Sequence, residues 1–539
     1  MYKRFIFMLT MAVSLGFLLV GSFNVLVDPY GVWGLCRIVG FNMLSPQAEV
    51  VERLVKPVEF LRLDPMPDTV FLGTSQVMYA FDMDTYKRLT GHEAYNFGVR
   101  GASLYEQRRF LEHVLATDKN IQHLILGLSF SNFIRGKDIK QNFRPQSFVD
   151  ISEQLEKNHI TGDNLAKIVF SYAAIRESWI KIQANMENMW THPYYMKSGK
   201  PYDDNLLDFF QRDHWRFDRT LILLERDGLY EGAEIDEDAW HEFERIVSIC
   251  RNNEIELTLF IPPVHAMQME EVAACWDTYE EWRRRIVQVE KVLDCTGYND
   301  ITTTDPKQGL VNEDTHPYFW DVMHCKTVVG DMIISQLVDN TDAQIGVWLT
   351  SDNLEQHLRE LRAGRSIWEA GHQDILEQIR YYRGFSPLVP QQLKKGNFTS
   401  GESVIRLHMA RQSVAPDAQA NNGAVMARLE KDMPFHFNLK QSDYIDVIGS
   451  CFSSQTPECM YALLEGVSGS SYYALAEPVR SKETGDYMRS SRYDESGFRI
   501  YVSLRDLPVG EYGLRLVEVR QGGEVVESEV MGILNLVQE

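Results

Sequence analysis

The sequence predicts an α/β domain with a doubly wound parallel sheet, preceded by a membrane-spanning helix and followed by an antiparallel β-sandwich. Three observations carry this. Residues Phe5–Val27 form an uncharged apolar run. Between residues 67 and 345, short apolar runs alternate with stretches of helical periodicity, the rhythm of βαβ units. From residue 391 onward the pattern changes to short alternating runs separated by turns.

The first element is the apolar run. A helix needs roughly 20 residues to cross the hydrocarbon core, and Phe5–Val27 meets that length. A secretory signal peptide has a shorter apolar region and a small-x-small cleavage site. Here the run ends in NVLVDPYG, and no cysteine follows LLVGSF to make a lipoprotein site. Residues 1–27 therefore read as an uncleaved signal anchor in the inner membrane. Lys3 and Arg4 precede the span, which keeps the N-terminus cytoplasmic and the rest of the chain outside that membrane, periplasmic or extracytoplasmic. The 539 residues, 44% of them hydrophobic, suffice for two or three domains with real cores. A net charge of −22 argues against nucleic acid as a partner and against docking on anionic lipid through a basic face.

Residues 28–66 read as a connector with one helical stretch, QAEVVERLVKPVEFLR. The α/β domain spans 67–345. TVFLG (69–73), EAYNFG (93–98) and HLILGLSF (123–130) are expected strands, with a helix over ASLYEQRRFLEHVLAT (102–117). Residues 135–235 are polar, aromatic and partly helical, and read as an insertion or lid. Its tryptophans and tyrosines between 179 and 202 fit either stacking on sugar rings or ordinary packing. The rhythm then resumes: a helix over 238–253, a strand over IELTLFIPP (255–263), a helix over 270–293, a strand and turn over CTGYNDI (295–301) and a helix over VVGDMIISQLV (328–338). Residues 346–390 read as a charged helical extension, and 391–539 as the sandwich. The seven cysteines form no CxxC pair, which excludes zinc-ribbon and thioredoxin readings. Cys451 and Cys459 enclose FSSQTPE and admit either a bridge or two separate thiols.

The chemistry concentrates in two short segments. FLGTSQ leaves a buried strand and sets Ser75 at its carboxyl end, where ligands of doubly wound sheets sit. A bare turn has the same spelling, so the reading depends on a partner base. HPYFWDVMHCKTVVGD (316–331) offers one: Asp321 and His324, three residues apart just before a helix, fit within one turn. The carboxylate then bonds one ring nitrogen while the other faces a serine. His316, Asp321 and His324 also admit a metal-ligand reading, and His265 in FIPPVHA follows a strand and lines the same pocket or serves structure.

Gly73-Thr74-Ser75 resembles the first block of the SGNH/GDSL hydrolase superfamily, which places Gly-x-Ser at the end of the first strand. Asp321-Val322-Met323-His324 resembles its final Asp-x-x-His block, and NFGVRGAS (96–103) its second block, in the family's order. The resemblance covers roughly 66–340. It implies Ser75 as nucleophile, His324 as base, Asp321 as its orienting acid, and an oxyanion site from the N–H groups of Ser75 and Gly101, with Gly98 the alternate. The family's third block, Gly-x-Asn-Asp, is altered: here the strand runs into SFSNF (129–133), and Asn132 or Ser131 fills the position. GTSQ also lacks the Asp and Leu of GDSL. That spelling and the VDPYG after the anchor look like the membrane-anchored periplasmic members that acetylate or deacetylate polysaccharides, such as the alginate acetylation proteins. The resemblance implies a cofactor-free serine O-acetyltransferase or carbohydrate esterase, acting on a cell-surface polysaccharide or oligosaccharide. In that group a membrane-bound acyltransferase often supplies the acetyl group. The alternative is a non-catalytic glycan-binding or assembly protein that keeps the fold. It would be favoured by a Ser75–His324 separation beyond about 4–5 Å.

Overall fold

A computed structural model describes residues 2–29, 35, 38–43, 52–60, 63–117, 121–135, 169–186, 195–203, 206, 217, 220–221, 229–306, 316–339, 345–382, 384–395, 397–400, 404–409, 435–438, 444–452, 457–479, 497–504, 506–520 and 522–537. The chain divides into two compact units. One comprises Met1–Phe217 and Leu229–Ser366, the other Asp218–Gly228 and Ile367–Glu539.

The first unit begins with the helix Tyr2–Val27, which is long and apolar enough to cross a membrane. Its core is a six-stranded sheet of β1 (Thr69–Gly73), β2 (Ala94–Gly98), β3 (His123–Gly127), β4 (Glu256–Ile261), β5 (Val292–Asp294) and β6 (Val347–Leu349), in the order β2-β1-β3-β4-β5-β6. The first five strands are parallel, and β6 pairs antiparallel with β5. β1 and the inner residues of its neighbours are buried on both faces, as parallel strands covered by helices must be. The chain steps from β1 to β2, then back across β1 to β3. Crossovers are right-handed, so this reversal puts the helices after β1 and the helix after β2 on opposite faces. The reversal point lies at the carboxyl ends of β1 and β3, where doubly wound sheets open a crevice.

Three expectations need correction here. The helix expected over 270–293 is two helices, Ala266–Val272 and Trp276–Val289, joined by a 3-10 turn. The strand comes earlier than expected: Val292 and Leu293 are fully buried between β4 and β6, whereas 295–301 forms turns. The extension expected from 346 opens with β6, which adds an antiparallel edge to the α/β sheet before the helix Leu354–Gly371 begins.

Within the second unit, the described strands form a four-stranded antiparallel sheet and a seven-stranded sheet. The latter is mainly antiparallel, with parallel pairing where Glu524–Glu527 meets Asn397–Ser400 and where Gly532–Val537 meets Phe435–Asn438. Alternate residues of both sheets, including Val447, Ile500, Leu464 and Leu516, share one apolar core. Cys451 and Cys459 are separate thiols on strands of different sheets, and Cys451 donates to the Glu518 carboxylate.

Candidate active site

Ser75 opens the helix Ser75–Ala80 directly after β1. Thr74 caps that helix, its side chain accepting from the Gln76 N–H. The helix sits unusually close to the sheet, and three glycines make that possible. A Cβ at Gly73 or Gly127 would lie 2.3 or 2.5 Å from the Val77 side chain, and one at Gly98 would lie 2.4 Å from the Met78 backbone nitrogen. These glycines end β1, β2 and β3 alike (TVFLG, AYNFG, HLILG). The shared terminal glycine is a sequence signal for a helix laid across the sheet's carboxyl edge, and the sequence reading above passed over it. Asn96, fully buried on β2, ties the arrangement together. Its amide donates to the carbonyls of Val77 and Phe81, and its oxygen accepts from the Gly98 N–H.

The other half of the site is a tight turn over residues 318–326, closed by the bridge between Phe319 and Cys325 and by the Trp320 N–H donating to the His324 carbonyl (2.7 Å). Inside it the Asp321 Oδ1 accepts from the Met323 and His324 backbone N–H groups at 2.8 and 2.9 Å. This local turn makes Asp-x-x-His a rigid unit. The helix Thr327–Asp339 then presses on the Ser75 helix with no room for a side chain: a Cβ at Gly330 would sit 1.9 Å from the Ala80 carbonyl oxygen. Gln76 adds a clasp, its amide donating to the Met323 carbonyl.

The two halves meet. Ser75 Oγ lies 2.8 Å from His324 Nε2, and His324 Nδ1 lies 2.8 Å from both carboxylate oxygens of Asp321. A carboxylate only accepts, so Nδ1 carries the ring proton, and Nε2 accepts from the serine hydroxyl. The separation that would favour a binding-only reading is not found. Asp321 is almost wholly buried. Burial opposes its charged form. The electrostatic pull and N–H of His324, with the two backbone donors, outweigh that and hold the carboxyl below its ordinary range. The Tyr79 ring meets His324 edge-on at 5.1 Å and fixes the imidazole plane.

The expected oxyanion groups separate into two kinds. Gly98 is occupied by Asn96. Gly101 stands on the loop after β2 at φ +59°, in open space. Asn132 is brought to that loop, its side chain donating to the Ala102 carbonyl at 2.9 Å, whereas the Ser131 hydroxyl pairs with Ser129. The two other histidines serve structure. His265 caps the helix after β4 through Nδ1 and lies 2.7 Å from the Thr304 carbonyl through Nε2. His316 Nδ1 accepts from the Tyr318 and Phe319 N–H groups, so that nitrogen is not open to a metal. Among the described residues no group of three His, Cys, Asp or Glu is placed to hold a metal ion.

The sequence reading also missed the support of the Gly101 loop. The connector helix Glu52–Phe60 places Glu52, Arg53 and Lys56 beneath it. Glu52 accepts from the Arg100 backbone N–H (3.0 Å) and side chain, and from Tyr195 (3.2 Å). Arg53 donates to the Arg100 carbonyl and to Glu106, which in turn accepts from the Ser103 N–H. Lys56 donates to the carbonyls of Asn96 and Gly98. Burial pushes its ammonium down to about 7, against the pull of Glu52 and Glu59. The i, i+4 pair Glu52/Lys56 was the available signal. Tyr195, from the aromatic stretch, is buried packing in this network. The residues beside it, 196–200, line the edge of β2, with the Asn96 N–H donating to the Ser198 carbonyl. Trp190 and Tyr194 lie outside the described residues.

No protein-family model matches the chain, and no curated protein matches it. Among solved structures, the chain was aligned with the endo-beta-1,4-mannanase from Thermotoga petrophila. That alignment has 10% identity, covers 94% of this chain and 97% of that one, and has a TM-score of 0.15, too low to carry an argument.

Proposed function

We propose that this chain is an anchored, extracytoplasmic serine enzyme of the SGNH type that transfers or removes acyl groups, acetyl foremost, on a cell-surface polysaccharide or oligosaccharide. The observation that supports it is the hydrogen-bonded series Ser75–His324–Asp321 at the reversal point of the sheet. Ser75 Oγ attacks an ester carbonyl while His324 Nε2 takes its proton, and Asp321 stabilises the imidazolium that forms. The N–H groups of Ser75 and Gly101, with Asn132 beside that loop, receive the oxyanion. Such a donor is worth about 3 kcal/mol where one has been removed. His324 returns the proton to the leaving oxygen, and an acyl-Ser75 remains. Water or a sugar hydroxyl then attacks it, again through His324, and restores the serine. Hydrolysis and transfer differ only in that acceptor. In the transfer case, a membrane-bound acyltransferase is the fitting donor. Lys3 and Arg4 before the apolar helix support an N-terminus in the cytoplasm and the site outside it.

The test uses the full chain in detergent with a fluorophosphonate probe and an aryl acetate. Labelling and acetate release are expected in the wild type and are expected to vanish in Ser75→Ala and His324→Ala. Labelling that survives Ser75→Ala would overturn the assignment.

A further inference from the structure

The helix Tyr172–Met186 belongs to the stretch expected as an insertion, and nothing in the proposed chemistry uses it. It packs along the outer end of the N-terminal apolar helix. Residues 2–19 of that helix are exposed throughout, and burial begins at Gly21. Those exposed turns cover about 27 Å at 1.5 Å per residue, close to the thickness of a hydrocarbon core. The contacts begin in the last of these turns and continue beyond them. The Phe170 ring meets Phe17 at 5.6 Å, and a Cβ on Gly21 would come within 2.8 Å of Phe170. Asn24 would be expensive alone in an apolar span. Here its amide donates to the Val169 carbonyl (2.7 Å) and its oxygen accepts from Ser178 (2.8 Å). Lys181 donates to the Asp28 carbonyl at 2.6 Å, a cation at the carboxyl end of the apolar helix.

The opposite side of Tyr172–Met186 is uncovered. Tyr172 (82% exposed), Trp179 (63%) and Met186 (69%) recur every seven residues and so share one face. Between them stand Arg176 and Gln183, both exposed. Scattered exposed apolar side chains need no explanation. These form a stripe, and its first two members lie where the lipid-facing turns of the anchor end, since the neighbouring Phe170 meets Phe17 and Ser178 meets Asn24. Tyrosine, tryptophan and arginine are the residues of the bilayer interface, apolar bodies with polar tips.

We propose that Tyr172–Met186 is a membrane-interface helix. It locks onto the anchor through Asn24 and Lys181 and seats Tyr172 and Trp179 in the headgroup–acyl boundary of the outer leaflet. The proposal rests on the anchor reading of the N-terminal helix. The net charge of −22 argues against electrostatic attraction to anionic lipid, so neutral lipid suffices.

The test uses the full chain with Cys36→Ser. The other six thiols are buried. A single cysteine is added by Trp179→Cys, by Leu18→Cys in the anchor, or by Gln356→Cys at an exposed position of the helix Leu354–Gly371 in the same unit, and labelled with the environment-sensitive fluorophore NBD. Each protein is placed in phosphatidylcholine nanodiscs with and without doxyl-labelled lipid. The expected result is blue-shifted emission at 18 and 179, lost to doxyl lipid at both, with neither effect at 356. Emission at 179 that matches 356 while 18 is quenched overturns the proposal and leaves the anchor standing, as when this face instead meets a partner's membrane helix. Absence of quenching at 18 overturns the anchor reading itself. An effect at 179 that requires added phosphatidylglycerol overturns the aromatic, charge-independent docking.

Discussion

Asp321→Asn is the sharpest test of the proposed chemistry, because the geometry dictates how the amide must sit. Oδ1 of Asp321 accepts from two backbone N–H groups at 2.8 and 2.9 Å. Those donors hold the asparagine oxygen in the same place. Its NH2 then occupies the Oδ2 position, 2.8 Å from His324 Nδ1. The retained oxygen, also 2.8 Å from Nδ1, is already engaged by those two N–H groups, so an Nδ1–H would face the NH2 on one side and a shared acceptor on the other, and the ring favours its Nε2–H tautomer. That nitrogen then donates to Ser75 instead of accepting its proton. The fold is kept and the tautomer is wrong. A substitution of this kind lowers kcat by about 10⁴, which is about 5.4 kcal/mol of transition-state stabilisation at 1.36 kcal/mol per decade. The assay is aryl acetate turnover by the full chain in detergent, beside the rate of fluorophosphonate labelling, with circular dichroism and Tm as controls. A folded Asp321→Asn within about tenfold of wild type in both rates would refute the role given to the Asp321–His324 contact.

Two further predictions concern the frame of the site. Gly98→Ala drives a Cβ to 2.4 Å from a backbone nitrogen that cannot swing aside. It should destabilise the fold by about 1–3 kcal/mol or more, seen as a lowered Tm, and should separate Ser75 from the Gly101 loop. An unchanged Tm would contradict the close approach. Lys56 has its folded value pushed down to about 7 against roughly 10.4 unfolded. The unfolded chain therefore holds the extra proton between those values, and stability rises with pH across that window. Lys56→Met should remove that rise, which is on the order of 2 kcal/mol between pH 7 and 9. Parallel stability curves for the two proteins over that range would count against the buried ammonium.

Much of the chain was legible because its signals are local. TVFLG, AYNFG and HLILG read as strands from composition alone, and Glu237–Asn252 as a helix from its period. Asp321 and His324 were legible as a unit because one Asx-type turn, three residues long, creates their contact. The helix over 270–293 was misplaced because Val292 and Leu293 continue an apolar period that helix and buried strand share. The groups that hold the Gly101 loop were missed because charged residues in an amphipathic helix usually face water. Whether Glu52 and Lys56 are buried depends on what is laid over them.

The sequence by itself determined the length of the apolar N-terminal run, the strand–helix rhythm and the residue types at the ends of β1 and of the 318–326 turn. Each depends on neighbours within a few positions. Only the tertiary structure decided that Ser75 and His324, 249 residues apart, lie 2.8 Å from one another. It also decided that Asn132 reaches the Gly101 loop and that Tyr172–Met186 runs beside the N-terminal apolar helix. The first two outcomes depend on the strand order β2-β1-β3-β4-β5. That order follows from burying helices on both faces of one sheet, a condition that no local window of residues contains.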